Sequence, residues 1–74
     1  MEQLIGILKS IKPHLDYEKE ERLVDDGLLD SFDIVILVGQ LNDAYNIRIS
    51  IAKIKPENFN SAKAMLALVD SLRE

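Results

Sequence analysis

One serine stands where a helix is expected to begin, with an aspartate before it and another two residues after it. Asp30, Ser31 and Asp33 lie at the junction between a polar stretch and the most apolar stretch of the chain. The first amides of a helix have no partner within the helix, and the helix dipole favours negative charge there. The position therefore suits a phosphate, and a covalent phosphodiester on Ser31 is one hypothesis. The alternative is that Asp30 or Ser31 only caps the helix, because both residue types are common caps.

Few other residues offer catalytic chemistry. The chain has no cysteine and one histidine, His14, which we expect at the surface or half-buried. This inventory excludes disulfides, thiolate metal sites and Cys–His catalysis, so we expect no enzymatic activity and no metal site. A calcium loop around Gly27 also fails, because Arg22 and Val24 would occupy ligand positions.

Length and charge narrow the classes of partner. A chain of 74 residues predicts one domain, residues 1–74, which we expect to be monomeric. Nine acidic residues lie between residues 16 and 43, against two basic ones, within a net charge of −4. This field repels nucleic acid and attracts basic protein surfaces. No apolar run is long enough to cross a bilayer, and the start lacks a signal-peptide pattern, so we expect a cytoplasmic protein.

Apolar spacing predicts two helices in the first half of the chain. The first runs over residues 2–12 and ends before Pro13. The second runs over residues 31–44, with Val35, Val38 and Leu41 on its inward face and Asn46 as a left-handed stop. A polar connection joins the two helices. It is expected to be held by four apolar anchors: Leu23, Val24, Leu28 and Leu29.

The second half predicts a short helix and a long one. Residues 47–55 are expected to be extended, with Ile47, Ile49 and Ile51 partly in the core. Pro56 begins a short helical turn that continues to Phe59. Asn60 or Ser61 then caps a last helix that ends near residue 72. Its expected apolar face is Ala62, Met65, Leu66, Val69 and Leu72, with Leu68 at the edge.

This layout, with Gly-Leu-Leu-Asp-Ser-Phe at residues 27–32, resembles the acyl carrier protein family. The resemblance implies an all-α bundle of four helices: three main helices, a short helix before the last, and a long first loop. Asp30-Ser31-Phe32 is similar to the family's Asp-Ser-Leu. By position, Ser31 would receive 4′-phosphopantetheine from coenzyme A through a phosphopantetheinyl transferase. The protein would do no chemistry itself and would hold an acyl or aminoacyl group as a thioester.

The branch that looks most similar is the D-alanyl carrier protein of teichoic acid modification. Phe32 after the serine, the preceding residues 27–29 and the spacing from Tyr45 to Phe59 resemble that branch. The implied partners are a D-alanine-activating ligase and downstream acyltransferases. Arg48 and Ala62 depart from the branch, so a fatty-acyl or polyketide cargo, carried with its own acyl-activating enzymes, remains an alternative.

The resemblance also implies a docking surface around Ser31. Asp30 and Asp33 would help to position the transferase and its metal-bound coenzyme A. Ile36 stands where fatty-acid carriers tend to have an acidic residue, and Ile49 with Phe59 would border the resting place of the arm or cargo. The expected docking residues are Leu29, Phe32, Asp33, Ile36, Gly39 and Asp43. Ordinary core positions are the alternative for the apolar ones, and an unmodified helical protein-interaction module is the alternative for the whole protein.

Overall fold

The computed structural model describes residues 2–73, and within them every regular element is helical. Helix α1 spans Glu2–Ile11, α2 spans Ser31–Tyr45, α3 spans Pro56–Phe59 and α4 spans Ala62–Leu72. A single turn of 3₁₀ helix, Ile51–Lys53, precedes α3. The predicted all-α bundle of three main helices, with a short helix before the last and a long first loop, is confirmed for the described residues.

The helix boundaries follow local signals in the sequence. Helix α1 ends at Ile11, one residue before the predicted end, because Pro13 disfavours helical backbone in the residue before it. Asn46 ends α2 with a left-handed φ of 53°, as predicted. Pro56 occupies the start of α3, and the Ser61 side chain caps α4 by accepting a hydrogen bond from the third amide beyond it.

One apolar core joins the helices to the first loop. Helix α1 packs against both α2 and α4, and α3 packs against α4. The loop contributes side chains that are as deeply buried as those of the helices. The buried apolar residues are Leu4, Leu8, Tyr17, Leu23, Leu29, Ile34, Leu37, Leu41, Ile49, Phe59, Ala62, Met65, Leu68 and Val69.

The inward face of α2 differs from the predicted one. Ile34, Leu37 and Leu41 are buried, whereas Val35 is 68% exposed and Val38 is half-buried. The prediction for Val35 was therefore wrong. Since residues 34–38 are all apolar, the spacing of apolar residues along this segment does not distinguish one face from its neighbour.

The connection after α2 is also less buried than predicted. Ile49 is buried and Ile47 is half-buried, but Ile51 is 88% exposed. The prediction for Ile51 was wrong because the 3₁₀ turn begins at this residue and ends the alternation of an extended chain. The turn also replaces part of the extended segment expected up to Lys55.

Hydrogen bonds from backbone and side-chain groups hold the first loop against the bundle. The buried Tyr17 hydroxyl donates to the carbonyl oxygen of Lys12 at 2.6 Å, close to the end of α1. The Leu23 amide donates to the Asn60 carbonyl oxygen at 2.9 Å. The Asn60 side-chain oxygen accepts from the Val24 amide at 3.0 Å. These contacts hold the loop against α1 and against the junction of α3 with α4.

Candidate functional site

The start of α2 is closed by two aspartates that cap each other's amides. Asp30 lies before the helix in extended backbone, and its Oδ1 accepts a hydrogen bond from the Asp33 amide at 2.8 Å. The Asp33 Oδ2 accepts in turn from the Asp30 amide at 3.2 Å. This reciprocal arrangement is a capping box. The cap of α2 is thus Asp30, one of the two predicted candidates, and not Ser31.

A lysine from the end of α1 completes this arrangement. Lys12 Nζ lies 3.0 Å from Asp33 Oδ2 and donates to the Leu28 carbonyl oxygen at 3.2 Å. Burial alone would raise the pKa of Asp33, but hydrogen bonds from Lys12 and Asp30, with the Lys12 charge, lower it below its ordinary value. Sequence reasoning missed this ion pair. The available signal was a lysine at the end of one helix and an acidic residue in the first turn of the next.

Because Asp30 caps α2, the Ser31 hydroxyl is not used as the helix cap. Ser31 is the first residue of α2 and is exposed. Its hydroxyl has no hydrogen-bond partner among residues 2–73, and the Ser31 and Phe32 amides have no acceptor there either. A nucleophilic oxygen therefore stands at the surface beside two free backbone donors. Such donors at a helix start favour an anionic group.

A cavity of about 270 Å³ opens beside this hydroxyl. We call it the Ser31 cavity. Three polar residues line it, Asp30, Ser31 and Lys55, and all three are exposed. The rest of the lining is apolar and includes Val24, Ile34, Val35, Ile54 and Phe59.

Phe59 and Ile49, the two residues expected to border the arm or cargo, differ in their position relative to this cavity. Phe59 lines the cavity, whereas Ile49 is buried in the core and does not line it. The segment between the 3₁₀ turn and the start of α3 brings Ile54, Lys55 and Pro56 into the cavity lining, and no sequence signal had pointed to them. Their proximity to Ser31 depends on how the segment after α2 folds back.

Several predicted docking residues do lie on the surface near Ser31. Phe32 is 71% exposed, which resolves the choice between core and surface for this side chain. Gly39 and Asp43 are exposed further along α2, and Ile36 is half-buried. Val35, which was predicted to face inward, lies at the surface and adds to the apolar area around the serine.

Two other predicted docking residues are not on the surface. Leu29 is 3% exposed, because it belongs to the core and its amide donates to the Leu23 carbonyl oxygen. Asp33 is 8% exposed, because the cap and the ion pair with Lys12 enclose its carboxylate. The prediction that these two side chains form part of an exposed docking surface was wrong.

The surroundings offer little further chemistry. His14 is exposed in the first loop. Residues 2–73 hold no group of three or more His, Cys, Asp or Glu side chains placed to bind a metal ion. None of the helices in this part of the chain has the length and apolar character needed to span a bilayer.

Comparisons with known proteins return nothing. The chain matches no protein-family model, no curated protein and no solved structure. The resemblance to the acyl carrier proteins therefore stays a prediction.

Proposed function

We propose that this protein is a carrier in which Ser31 bears 4′-phosphopantetheine. The thiol of that group would hold an acyl or aminoacyl unit as a thioester and present it to partner enzymes. The observation that supports this function best is the Ser31 hydroxyl itself. It is exposed at the first residue of α2, bonded to no group within residues 2–73, and placed at an apolar cavity.

The residues around Ser31 fit a phosphodiester with a slender arm. The free Ser31 and Phe32 amides can donate to phosphate oxygens, and the α2 dipole favours the negative charge. The Asp30 carboxylate is held by the Asp33 amide, so one of its oxygens is already engaged. Beyond the phosphate, the apolar lining of the Ser31 cavity provides a surface for the arm or its cargo.

Attachment is a balanced phosphoryl transfer from coenzyme A. The Ser31 Oγ attacks the phosphorus that carries the pantetheine. An Oγ–P bond forms as the P–O bond within the pyrophosphate breaks, and adenosine 3′,5′-bisphosphate leaves. The hydroxyl proton passes to a base of the transferase. Within this chain, Asp30, Asp33 and Lys12 hold the start of α2, and therefore the attacking oxygen, in position.

Partner binding would be brief and electrostatically steered. The acidic residues of the first loop are mostly exposed, and the exposed Phe32 and Val35 lie beside Ser31. Such a surface suits weak association with basic faces of a transferase, a ligase and acyltransferases. Covalent tethering raises the effective concentration of the cargo at each enzyme, so tight docking is unnecessary.

D-alanine is the proposed cargo, because Phe32 and residues 27–29 resemble the D-alanyl carrier branch. The alternative is a fatty-acyl or polyketide unit. Loading of the modified protein with D-alanine by a D-alanine-activating ligase, compared with malonyl transfer by a malonyl transferase, separates these possibilities. Thioester formation in only one of the two reactions identifies the class.

A second candidate from a different class is an unmodified helical interaction module. The exposed Phe32 and Val35 favour it as much as they favour a carrier, because both functions need an apolar contact surface. The two candidates differ at Ser31, which only a carrier requires.

The deciding experiment is an intact-mass measurement after incubation with coenzyme A, magnesium and a promiscuous phosphopantetheinyl transferase. We expect the mass of one phosphopantetheine group to be added and to map to Ser31. Ser31→Ala should remain helical and gain no mass. Ser50→Ala is the matched control, because Ser50 is also exposed and its side chain caps nothing. No mass change in the folded wild-type protein would refute the carrier function and leave the interaction module.

A further inference from the structure

The lining of the Ser31 cavity includes one cation. Lys55 lines this cavity together with Ser31, and it is the only basic residue among the cavity's described lining. Asp30 is the only acidic residue there. An anionic group attached to the Ser31 oxygen would therefore be repelled by Asp30 and attracted by Lys55.

The Lys55 ammonium is free to move towards such a group. Its one ion pair within residues 2–73 is with Glu57, at 3.8 Å, and both side chains are more than half exposed. An ion pair of this length and exposure contributes little to stability. The Lys55 ammonium lies at the end of a flexible four-carbon side chain. It can therefore leave Glu57 and pair with another anion with little loss of free energy.

The surrounding segment has the charge that a phosphate would need. Residues 47–56 carry Arg48, Lys53 and Lys55 and no acidic residue, in a chain whose net charge is −4. Of these three cations, only Lys55 lines the cavity. The segment is therefore attractive to an anion, and its Lys55 lines the same cavity as Ser31.

We propose that Lys55 binds the phosphodiester attached to Ser31 and thereby fastens the segment of residues 51–55 against the start of α2. This inference rests on the proposed carrier function. The contact joins an ammonium to a phosphate oxygen, so it forms only after the group has been attached. The 3₁₀ turn should then open less often in the loaded protein than in the unloaded one.

Amide hydrogen exchange measures this opening directly. The Lys53 amide donates to the Ser50 carbonyl oxygen at 3.0 Å, and the Ile54 amide donates to that of Ile51 at 3.0 Å. Exchange of these two amides therefore reports whether the turn is closed. In wild-type protein, we expect loading to slow both by about threefold, the size expected of one exposed ion pair.

Three variants test whether the Lys55 charge causes the slower exchange. Lys55→Gln should abolish the slowing, and Lys55→Arg should retain it. Lys53→Gln is the matched control: it removes the same charge from the same segment at a side chain that does not line the cavity, and it should keep most of the slowing. Before loading, the protection of these amides relative to their intrinsic exchange rates should be alike in all four proteins, since the contact needs the phosphate.

A second readout observes the phosphate itself. The ³¹P chemical shift of the loaded protein should differ between wild type and Lys55→Gln, and wild type and Lys53→Gln should agree. High salt should reduce the difference, because the contact is exposed to solvent.

The outcomes separate the two proposals. If the intact mass shows complete loading and Lys55→Gln behaves as wild type in both exchange and ³¹P shift, the role of Lys55 is refuted and the carrier function stands. An equal loss of slowing in Lys53→Gln and Lys55→Gln also refutes a specific contact. If wild-type protein gains no mass, the carrier function itself fails.

Discussion

Replacing Asp33 with asparagine tests the arrangement that holds the start of α2. The two side chains have nearly the same shape, so the substitution removes the charge without opening a cavity. Asp33 Oδ2 now accepts from Lys12 Nζ at 3.0 Å and from the Asp30 amide at 3.2 Å. Asparagine keeps one oxygen for these donors but loses the charge that strengthens both contacts.

The expected loss of stability follows from these contacts. Weakening one half of the capping box costs about 0.5 kcal/mol. The Lys12 side chain is 41% exposed, so its ion pair is partly screened and contributes about 1 kcal/mol. We therefore expect Asp33→Asn to lower the free energy of unfolding by about 1.5 kcal/mol, which is roughly 10 °C in melting temperature for a chain of this size.

Urea unfolding at pH 7, followed by far-ultraviolet circular dichroism, measures this loss. Asp43→Asn is the matched control, because Asp43 lies on the same helix, is exposed, and its side chain has no hydrogen bond or ion pair within residues 2–73. It should stay within about 0.5 kcal/mol of wild type. A double-mutant cycle with Lys12→Met should give a coupling of about 1 kcal/mol between the two charged groups.

At low pH, wild type and Asp33→Asn should no longer differ in their free energy of unfolding. The pKa of Asp33 is lower in the folded protein than its ordinary value, so the ionised carboxylate stabilises the native state. This contribution is complete above the unfolded pKa of about 3.9 and is lost as the pH falls through the lower native pKa. The difference in free energy of unfolding between wild type and Asp33→Asn should therefore be constant from about pH 5 to 8 and should shrink below about pH 4.

Two results would refute this reasoning. One is a stability of Asp33→Asn equal to that of wild type at pH 7, which would mean that the carboxylate's burial cancels its contacts. The other is a difference that grows on acidification, which would place the native pKa above the unfolded one.

Two asparagines give further tests, one at the junction of α3 with α4 and one at the end of α2. Asn60→Ala removes the acceptor for the Val24 and Asp25 amides, so it should cost about 1–2 kcal/mol and speed hydrogen exchange at these amides more than in α2. Asn46→Ala should cost about 1 kcal/mol in urea unfolding, because alanine disfavours the left-handed φ of 53°, whereas Asn46→Gly should be nearly neutral.

The features predicted correctly from the sequence are those whose causes lie within a few residues. Asp30, one of two predicted candidates, caps α2 through a contact that spans one helical turn, and Ser61, also one of two candidates, caps α4 in the same way. Asn46 and Pro56 act through their own backbone preferences. Local geometry decides each of these positions, so the sequence pattern assigned Asn46 and Pro56 directly and narrowed each cap to two neighbouring residues.

The features that were missed depend on contacts between distant segments. Lys12 and Asp33 meet because α1 ends beside the start of α2, and no spacing along the chain encodes that approach. Lys55 reaches the Ser31 cavity for a similar reason. Val35 was misplaced because its neighbours are also apolar, and only packing against the rest of the core selects Ile34 as the inward residue.

At the start of α2, one residue caps the helix and the next carries the free hydroxyl. This separation bears on the two hypotheses for the junction, helix capping and covalent attachment at Ser31. A serine that caps a helix directs its hydroxyl oxygen at the amides of the first turn and uses that oxygen as an acceptor. Here Asp30 accepts from the Asp33 amide, so the cap is complete without Ser31. Capping and covalent attachment are therefore not competing explanations of the same side chain. The aspartate stabilises the helix, and the next residue is left with a free hydroxyl at the amino-terminal end of α2, where the helix dipole favours an anion.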